Sequence, residues 1–175
     1  MTDASHVLDT QRLVLRRLEP ADAGFILEIT NDPDWLRHIG DRGIRSLDDA
    51  RRYITEGPRA MYERHGFGLY LVEQRDGGTP IGLCGLIKRD WLDDVDIGFA
   101  FLPAFRGRGF ALEAAAATLE FGRTTLGLHR IAAIVSPGNA DSLRLLGRLG
   151  MRLERMVLPP NETSPLCLYV TPPPG

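Results

Sequence analysis

The spacing of apolar side chains changes period several times along the chain, and each change marks an element. Gln11 to Leu18 sets Leu and Val between arginines and predicts a short strand. Glu19-Pro20-Ala21-Asp22 predicts a helix start. The first helical turn leaves its N–H groups unbonded, so a proline costs nothing there, and Asp22 suits the positive end of the dipole. Phe25, Ile26 and Ile29 recur at helical spacing, and Asn31-Asp32-Pro33 predicts the stop. A polar loop is expected from Trp35 to Gly43. Ser46-Leu47-Asp48-Asp49 then opens a second helix, much as in a capping box, that runs to about Arg64.

The pattern next turns to strands. Phe67 to Glu73 leads through the turn Asp76-Gly77-Gly78-Thr79 into Ile81 to Ile87, a hairpin signal. Val95 to Leu102 is nearly all apolar and predicts a strand buried on both faces. A glycine-rich turn at 106–109 opens an Ala-rich helix ending near Leu126-Gly127. Ile131 to Val135 predicts another strand, and Ser136-Pro137-Gly138-Asn139 precedes a helix to Leu149-Gly150. Met151–Leu158 and Leu166–Val170 close the chain as strands. The order is β-α-α-β-β-β-α-β-α-β-β. A hairpin followed by two strand–helix crossovers predicts an α/β (α+β) fold, with a mixed central sheet of about seven strands and helices on both faces.

Composition narrows the class. The 175 residues form one expected domain over 1–170, with a Pro-rich disordered tail at 171–175. Hydrophobic residues at 43% and charged residues at 25% match an ordinary soluble protein. The balance of 21 basic against 23 acidic residues argues against a nucleic-acid partner. Met1 to His6 is acidic without an apolar core, so no signal peptide is expected, and no apolar run approaches the ~20 residues of a membrane span. These features predict a cytoplasmic protein, monomeric or homodimeric. Cys84 and Cys167 lie far apart in apolar runs and read as buried reduced thiols or, less simply, a disulfide. His6, His38, His65 and His129 lack metal-ligand spacing, so no metal is expected. No Gly-x-Ser-x-Gly elbow marks a hydrolase.

The chemistry concentrates in Ile97-Gly98-Phe99-Ala100-Phe101-Leu102-Pro103-Ala104-Phe105-Arg106-Gly107-Arg108-Gly109-Phe110-Ala111. A strand running into a two-glycine turn that opens a helix can cradle a diphosphate. Glycines allow close backbone approach, and the unbonded N–H groups and dipole of the helix favour negative charge. Arg106 and Arg108 are expected to add positive charge. A P-loop would need a following Lys-Ser or Lys-Thr, which is absent. A dinucleotide fingerprint would need a third glycine where Leu112 stands and an acidic residue after Val135. Arg106-x-x-Gly109-x-Ala111 resembles instead the acetyl-CoA signature of the GNAT N-acetyltransferases. Pro137-Gly138-Asn139-Ala140-Asp141-Ser142 and Leu145-Leu146-Gly147-Arg148-Leu149-Gly150-Met151 are similar to that family's Pro-x-Asn-x-x-Ser and Lys-Leu-Gly-Phe segments. Thr10-Gln11-Arg12-Leu13-Val14-Leu15-Arg16 resembles the opening of the branch that includes ribosomal-protein N-terminal acetyltransferases.

The resemblance implies acetyl transfer from acetyl-CoA to a primary amine, a protein N-terminus or a small molecule, by direct attack. It implies that backbone groups of Phe99 and Phe101 pair with the pantetheine arm, and that amides of Arg106, Gly107, Arg108, Gly109, Phe110 and Ala111 hold the pyrophosphate. Asn139 would bond the pantetheine chain or serve as a helix N-cap. Asp96 matches the family's acidic base, or is one of a solvated cluster with Asp93 and Asp94. A backbone N–H on the same strand would face the oxyanion. Many members place a Tyr seven residues after the Asn; here Leu146 stands there, which leaves Ser142 as the nearest hydroxyl for the thiolate, with water as the alternative. His38, Asp41 and Arg42 in the first long loop, and Glu162 between the last strands, are candidate acceptor contacts or plain surface. Arg144 and Arg148 are exposed charges or contacts for the 3′-phosphate. The departure at Leu146 keeps open an alternative, a non-catalytic acyl-CoA sensor.

Overall fold

The computed structural model describes residues 5–173. Met1 to Ala4, most of the segment read above as too polar for a leader, and Pro174-Gly175 of the expected tail lie outside them. Among the described residues the strands are β1 (His6–Asp9), β2 (Leu13–Arg17), β3 (Leu69–Gln74), β4 (Pro80–Ile87), β5 (Val95–Phe101), β6 (Ile131–Val135), β7 (Arg152–Val157) and β8 (Leu166–Val170). They form one eight-stranded sheet in the order β1-β2-β3-β4-β5-β6-β8-β7. Every pairing is antiparallel except β5 with β6. The helices are α1 (Ala23–Thr30), α2 (Pro33–His38), α3 (Leu47–Ile54), α4 (Ala60–His65), α5 (Phe110–Thr124) and α6 (Ala140–Arg148).

Strand alternation divides the core between two faces. Leu69, Leu71 and Leu83 point to one side, where Ile26, Ile29, Ala50 and Ile54 of α1 and α3 cover them. Tyr70, Val72, Cys84 and Leu86 point to the other, under Phe110, Ala114 and Ala115 of α5. Helices therefore lie on both faces, as expected. Gly85 shows how tightly β3 and β4 meet, since a Cβ there would sit 2.1 Å from the Gly68 carbonyl oxygen.

Three expectations need correction and a fourth is refined. The sheet gains β1, a four-residue edge strand too short and too evenly half-buried to show alternation. The expected loop after Asp32 begins with α2. Asp32 accepts from the Asp34 N–H at 3.2 Å and Pro33 fills the first helical position, so residues that stop one helix start the next. The second helix does run through α3 and α4 to His65, close to the expected end near Arg64, but it is not uniform: it widens at Thr55–Arg59, where Pro58 cannot donate to the helical ladder. Finally, β5 is not buried on both faces, because Gly98, Phe99 and Ala100 are partly exposed. Thr171, first residue of the expected tail, is held by Ile131: their amide-to-carbonyl bond is 2.9 Å, and the Ile131 N–H donates to Thr171 Oγ1 at 3.0 Å.

Candidate active site

The exposed middle of β5 is where the sheet opens. β5 and β6 pair only at Val95↔Ile131 and Asp96↔Ala132. Beyond that point β5 stays with β4 as far as Phe101, and β6 stays with β8 as far as Val135. The Leu102 N–H donates to the Ile81 carbonyl at 3.0 Å, which sets the phase of the antiparallel ladder. Asp96, Gly98 and Ala100 thus turn their backbone groups toward β4. Phe99 and Phe101 turn theirs toward the gap. A cleft of about 970 Å³ fills this opening and runs along the carboxyl ends of both strands.

Two helices begin at the cleft. α5 starts after Gly109, whose φ of +82° is a conformation that glycine adopts without strain, and no side chain caps it. Its first intrahelical bond here joins the Glu113 N–H to the Gly109 carbonyl at 3.1 Å, so the N–H groups of Phe110, Ala111 and Leu112 lack helical acceptors. Gly107, Gly109, Phe110 and Ala111 all line the cleft. α6 is capped by Asn139, whose Oδ1 accepts from the Ser142 N–H at 3.3 Å. The N-cap role of Asn139 is therefore filled in this structure. Asn139 and Ser142 both line the cleft, and Leu146 is buried beside it at 1% exposure.

Of the two turn arginines, Arg106 lines the cleft and Arg108 does not. Arg106 directs Nη2 to Asp32 at 2.7 Å, Nη1 to Asp34 and Nε to the Phe101 carbonyl at 2.9 Å. Its charge is matched by two carboxylates, and it clasps the turn to the start of α2. Arg108 lies 5.0 Å from the Phe110 ring centre and 5.8 Å from that of Phe105, and its side chain is not part of the cleft wall. The cradle thus consists of backbone N–H groups more than of guanidinium charge.

Asp96 sits at the fork. It is 1% exposed and receives Arg89 Nε at 2.9 Å and Nη2 at 3.4 Å. Burial raises its pKa above the ordinary aspartate range, and the adjacent charges of Arg89 and, more weakly, Lys88 oppose that rise. It is therefore no solvated strand end, unlike its neighbour Asp93, which is exposed. His38, Arg42 and Glu162 line the same cleft. Asp41 does not: it is exposed, accepts from the Gly43 N–H at 2.8 Å and pairs with Arg45. Arg144 and Arg148 reach the cleft near α6, with Arg144 paired to Asp141.

Arg89, Tyr53, Trp35 and Trp91 also stand on the cleft wall, without a motif in the sequence to mark them. Arg89 lies seven residues before Asp96 across a turn, a separation without a helical or strand signature. Burial pushes the Tyr53 phenol up, against the opposing charges of Arg42 and Arg89. Cys84 is buried, contacts Thr118 Oγ1 at 3.3 Å and has its thiol pushed up to about 12, so it is no nucleophile. Cys84 and Cys167 are both free thiols.

Comparison with known proteins agrees with this geometry. The model of the acetyltransferase (GNAT) domain matches residues 12–152. An uncharacterized N-acetyltransferase of Bacillus subtilis, YnaD, is 31% identical over 147 residues, covering 84% of this chain and 83% of its own. The crystal structure of an acetyltransferase from Agrobacterium tumefaciens superposes with a TM-score of 0.80 at 25% identity, covering 97% of this chain and 95% of the other. RimL, a ribosomal L7/L12 alpha-N-protein acetyltransferase solved with coenzyme A, shares the fold at a TM-score of 0.80 and 14% identity, over 94% of this chain and 96% of its own. The fold is thus one shared with solved acetyltransferase structures. The chain belongs to the GNAT acetyltransferase family.

Proposed function

We propose that this protein transfers the acetyl group of acetyl-CoA to a primary amine. The observation that carries this reading is the open edge of β5 beyond Asp96, lying beside the uncapped start of α5. An unpaired strand edge suits an amide-bearing chain such as pantetheine, and a helix start suits a diphosphate. Acetyl-CoA supplies a thioester whose carbonyl carbon forms a C–N bond with the amine as the C–S bond breaks and the sulfur leaves as thiolate.

The chain's own groups then have distinct tasks. An amine with a pKa near about 10 is mostly protonated at neutral pH, so it must lose a proton before attack. Asp96 accepts that proton, directly or through water. Its burial raises its basicity while Arg89 keeps the carboxylate form accessible. The Phe99 N–H faces the gap and can donate to the developing oxyanion. The nitrogen gives up a second proton as the amide forms, and Ser142, half-buried at the start of α6, or a water relays one proton to the thiolate, so that the hydroxyl is left as it began.

Two measurements test this reading. Acetyl-CoA and CoA should raise the melting midpoint while NADH and ATP leave it unchanged, since a ligand that binds the native state stabilises it. Thiol release should then exceed the hydrolysis blank with at least one of peptides, polyamines and aminoglycosides. Binding of CoA without release from any amine would instead support the acyl-CoA sensor.

A further inference from the structure

The charges along the cleft are unevenly paired. Of the carboxylates on its wall, Asp32 and Asp34 are held by Arg106, Asp96 by Arg89 and Asp141 by Arg144. Glu162, in the loop between β7 and β8, is the exception among the described residues. The cations differ. Arg42 also lines the cleft, and among the described residues it has no carboxylate, carbonyl or ring partner. Arg89 commits Nε and Nη2 to Asp96, while its Nη1 donates to nothing described. Tyr53 lines the same cleft as both arginines and shares a smaller adjoining pocket with Arg42, and its hydroxyl likewise makes no hydrogen bond among the described residues.

Buried polar atoms without partners also occur on the α2 side. Trp35 is 5% exposed, and its Nε1 is buried without a partner, as is Nδ1 of His38. An indole N–H can only donate. This half of the cleft therefore holds several unanswered donors. A polycation would meet Arg42 and find only Glu162 to answer it. An oxyanion would meet a guanidinium fork, a phenol and a second guanidinium edge, the set that planar or tetrahedral oxyanions bind well.

We infer that the acceptor is an amine carrying an anionic oxygen group, a carboxylate or a phosphate, which Arg42 receives together with Tyr53 and the uncommitted edge of Arg89. The amine end then reaches Asp96 while the anionic end stays at the Arg42 side of the cleft. This inference rests on the proposed amine acetylation and narrows its substrate class.

The test compares matched amines by thiol release from acetyl-CoA with the purified protein. β-Alanine is set against β-alaninamide, O-phosphoethanolamine against ethanolamine, an aspartyl dipeptide against its asparaginyl counterpart, and spermidine stands alone. At least one anionic member should exceed its neutral partner about tenfold in kcat/KM, the scale of one charge-assisted contact. Whether the carboxylate or the phosphate arm wins identifies the oxyanion. Arg42→Ala should reduce that preference about tenfold, mainly through KM, and Arg42→Lys should restore part of it. Spermidine or the neutral partners preferred by the wild type would overturn the inference while leaving amine acetylation standing. A preference that survives Arg42→Ala would remove Arg42 from it. A melting shift with acetyl-CoA but no release from any amine would overturn the acetylation reading, and this inference with it.

Discussion

At the residue scale, Asp96 carries the most weight. A carboxylate at 1% exposure is stable only with a partner, and Arg89 supplies one without closing the site to the cleft. The raised pKa sets the sign of the pH dependence. If Asp96 must be ionised to accept a proton, kcat/KM should rise with pH along an acidic limb whose midpoint lies above the ordinary aspartate value of about 3.9. Asp96→Asn should flatten that limb and lower kcat by roughly 10²–10⁴-fold. An unchanged pH profile would assign the base elsewhere. Gly85 offers a stability test independent of chemistry. Gly85→Ala must push backbone apart at a 2.1 Å clash, so chemical denaturation should show a loss of about 4 kcal/mol or more, against about 1 kcal/mol for an unhindered strand site.

At the element scale, the N-terminus of α5 is held by contacts far away in sequence. Glu113, in its first turn, receives Thr10 Oγ1, the Arg12 N–H at 2.8 Å and Arg12 Nε at 2.7 Å. Arg12 also reaches the Arg108 carbonyl at 3.0 Å and lies over the Phe110 ring. The β1–β2 turn thus braces the loop that presents the N–H groups. Burial pushes the Glu113 pKa up, but the hydrogen bonds from Thr10 and Arg12 outweigh it and hold the group below its usual range. A carboxylate with a depressed folded pKa contributes stability above its unfolded pKa. That contribution is lost as pH falls from about 4.3 through the lower folded value. Glu113→Gln should therefore lower stability at neutral pH, lose its difference from wild type in acid, and raise KM for acetyl-CoA more than it changes kcat. Denaturation midpoints across pH, with initial rates at neutral pH, check both parts.

Arg106 makes the complementary case. Its expected role was charge beside a diphosphate, but its guanidinium joins β5, α2 and the turn through Asp32, Asp34 and Phe101. Arg106→Ala leaves the nearly buried Asp32 unpaired, so urea unfolding should show a loss of about 3 kcal/mol. Unaltered stability with weakened CoA binding would return the guanidinium to the ligand. Nothing in the Arg106 to Ala111 signature distinguishes these roles, because the partners lie more than seventy residues earlier. The strand–turn–helix itself was legible because its signals are local: an apolar run, two glycines and an alanine-rich helix. α2 was not, because six residues are too few for a helical period and Asp32-Pro33 reads equally as a stop or a start.

At the scale of the whole molecule, the eight-stranded sheet does one thing that its sequence of elements alone does not announce. It keeps β5 and β6 paired for two residues and then lets each follow its other neighbour. Mixed topology, hairpin and crossovers could be read from periodicity, but the split depends on pairing register, which no single segment encodes. Arg89 and Tyr53 stayed hidden for the same reason, since only the closed fold brings them to Asp96 and Arg42. Among the described residues no helix is long and apolar enough to cross a membrane. Transfer of an acetyl group to nitrogen can be followed directly. Acetyl-CoA labelled in its acetyl carbon, incubated with the protein and the amine panel, should yield a labelled amide with one thiol released per amide formed. Label confined to acetate and unreacted acetyl-CoA, with CoA binding intact, would contradict it.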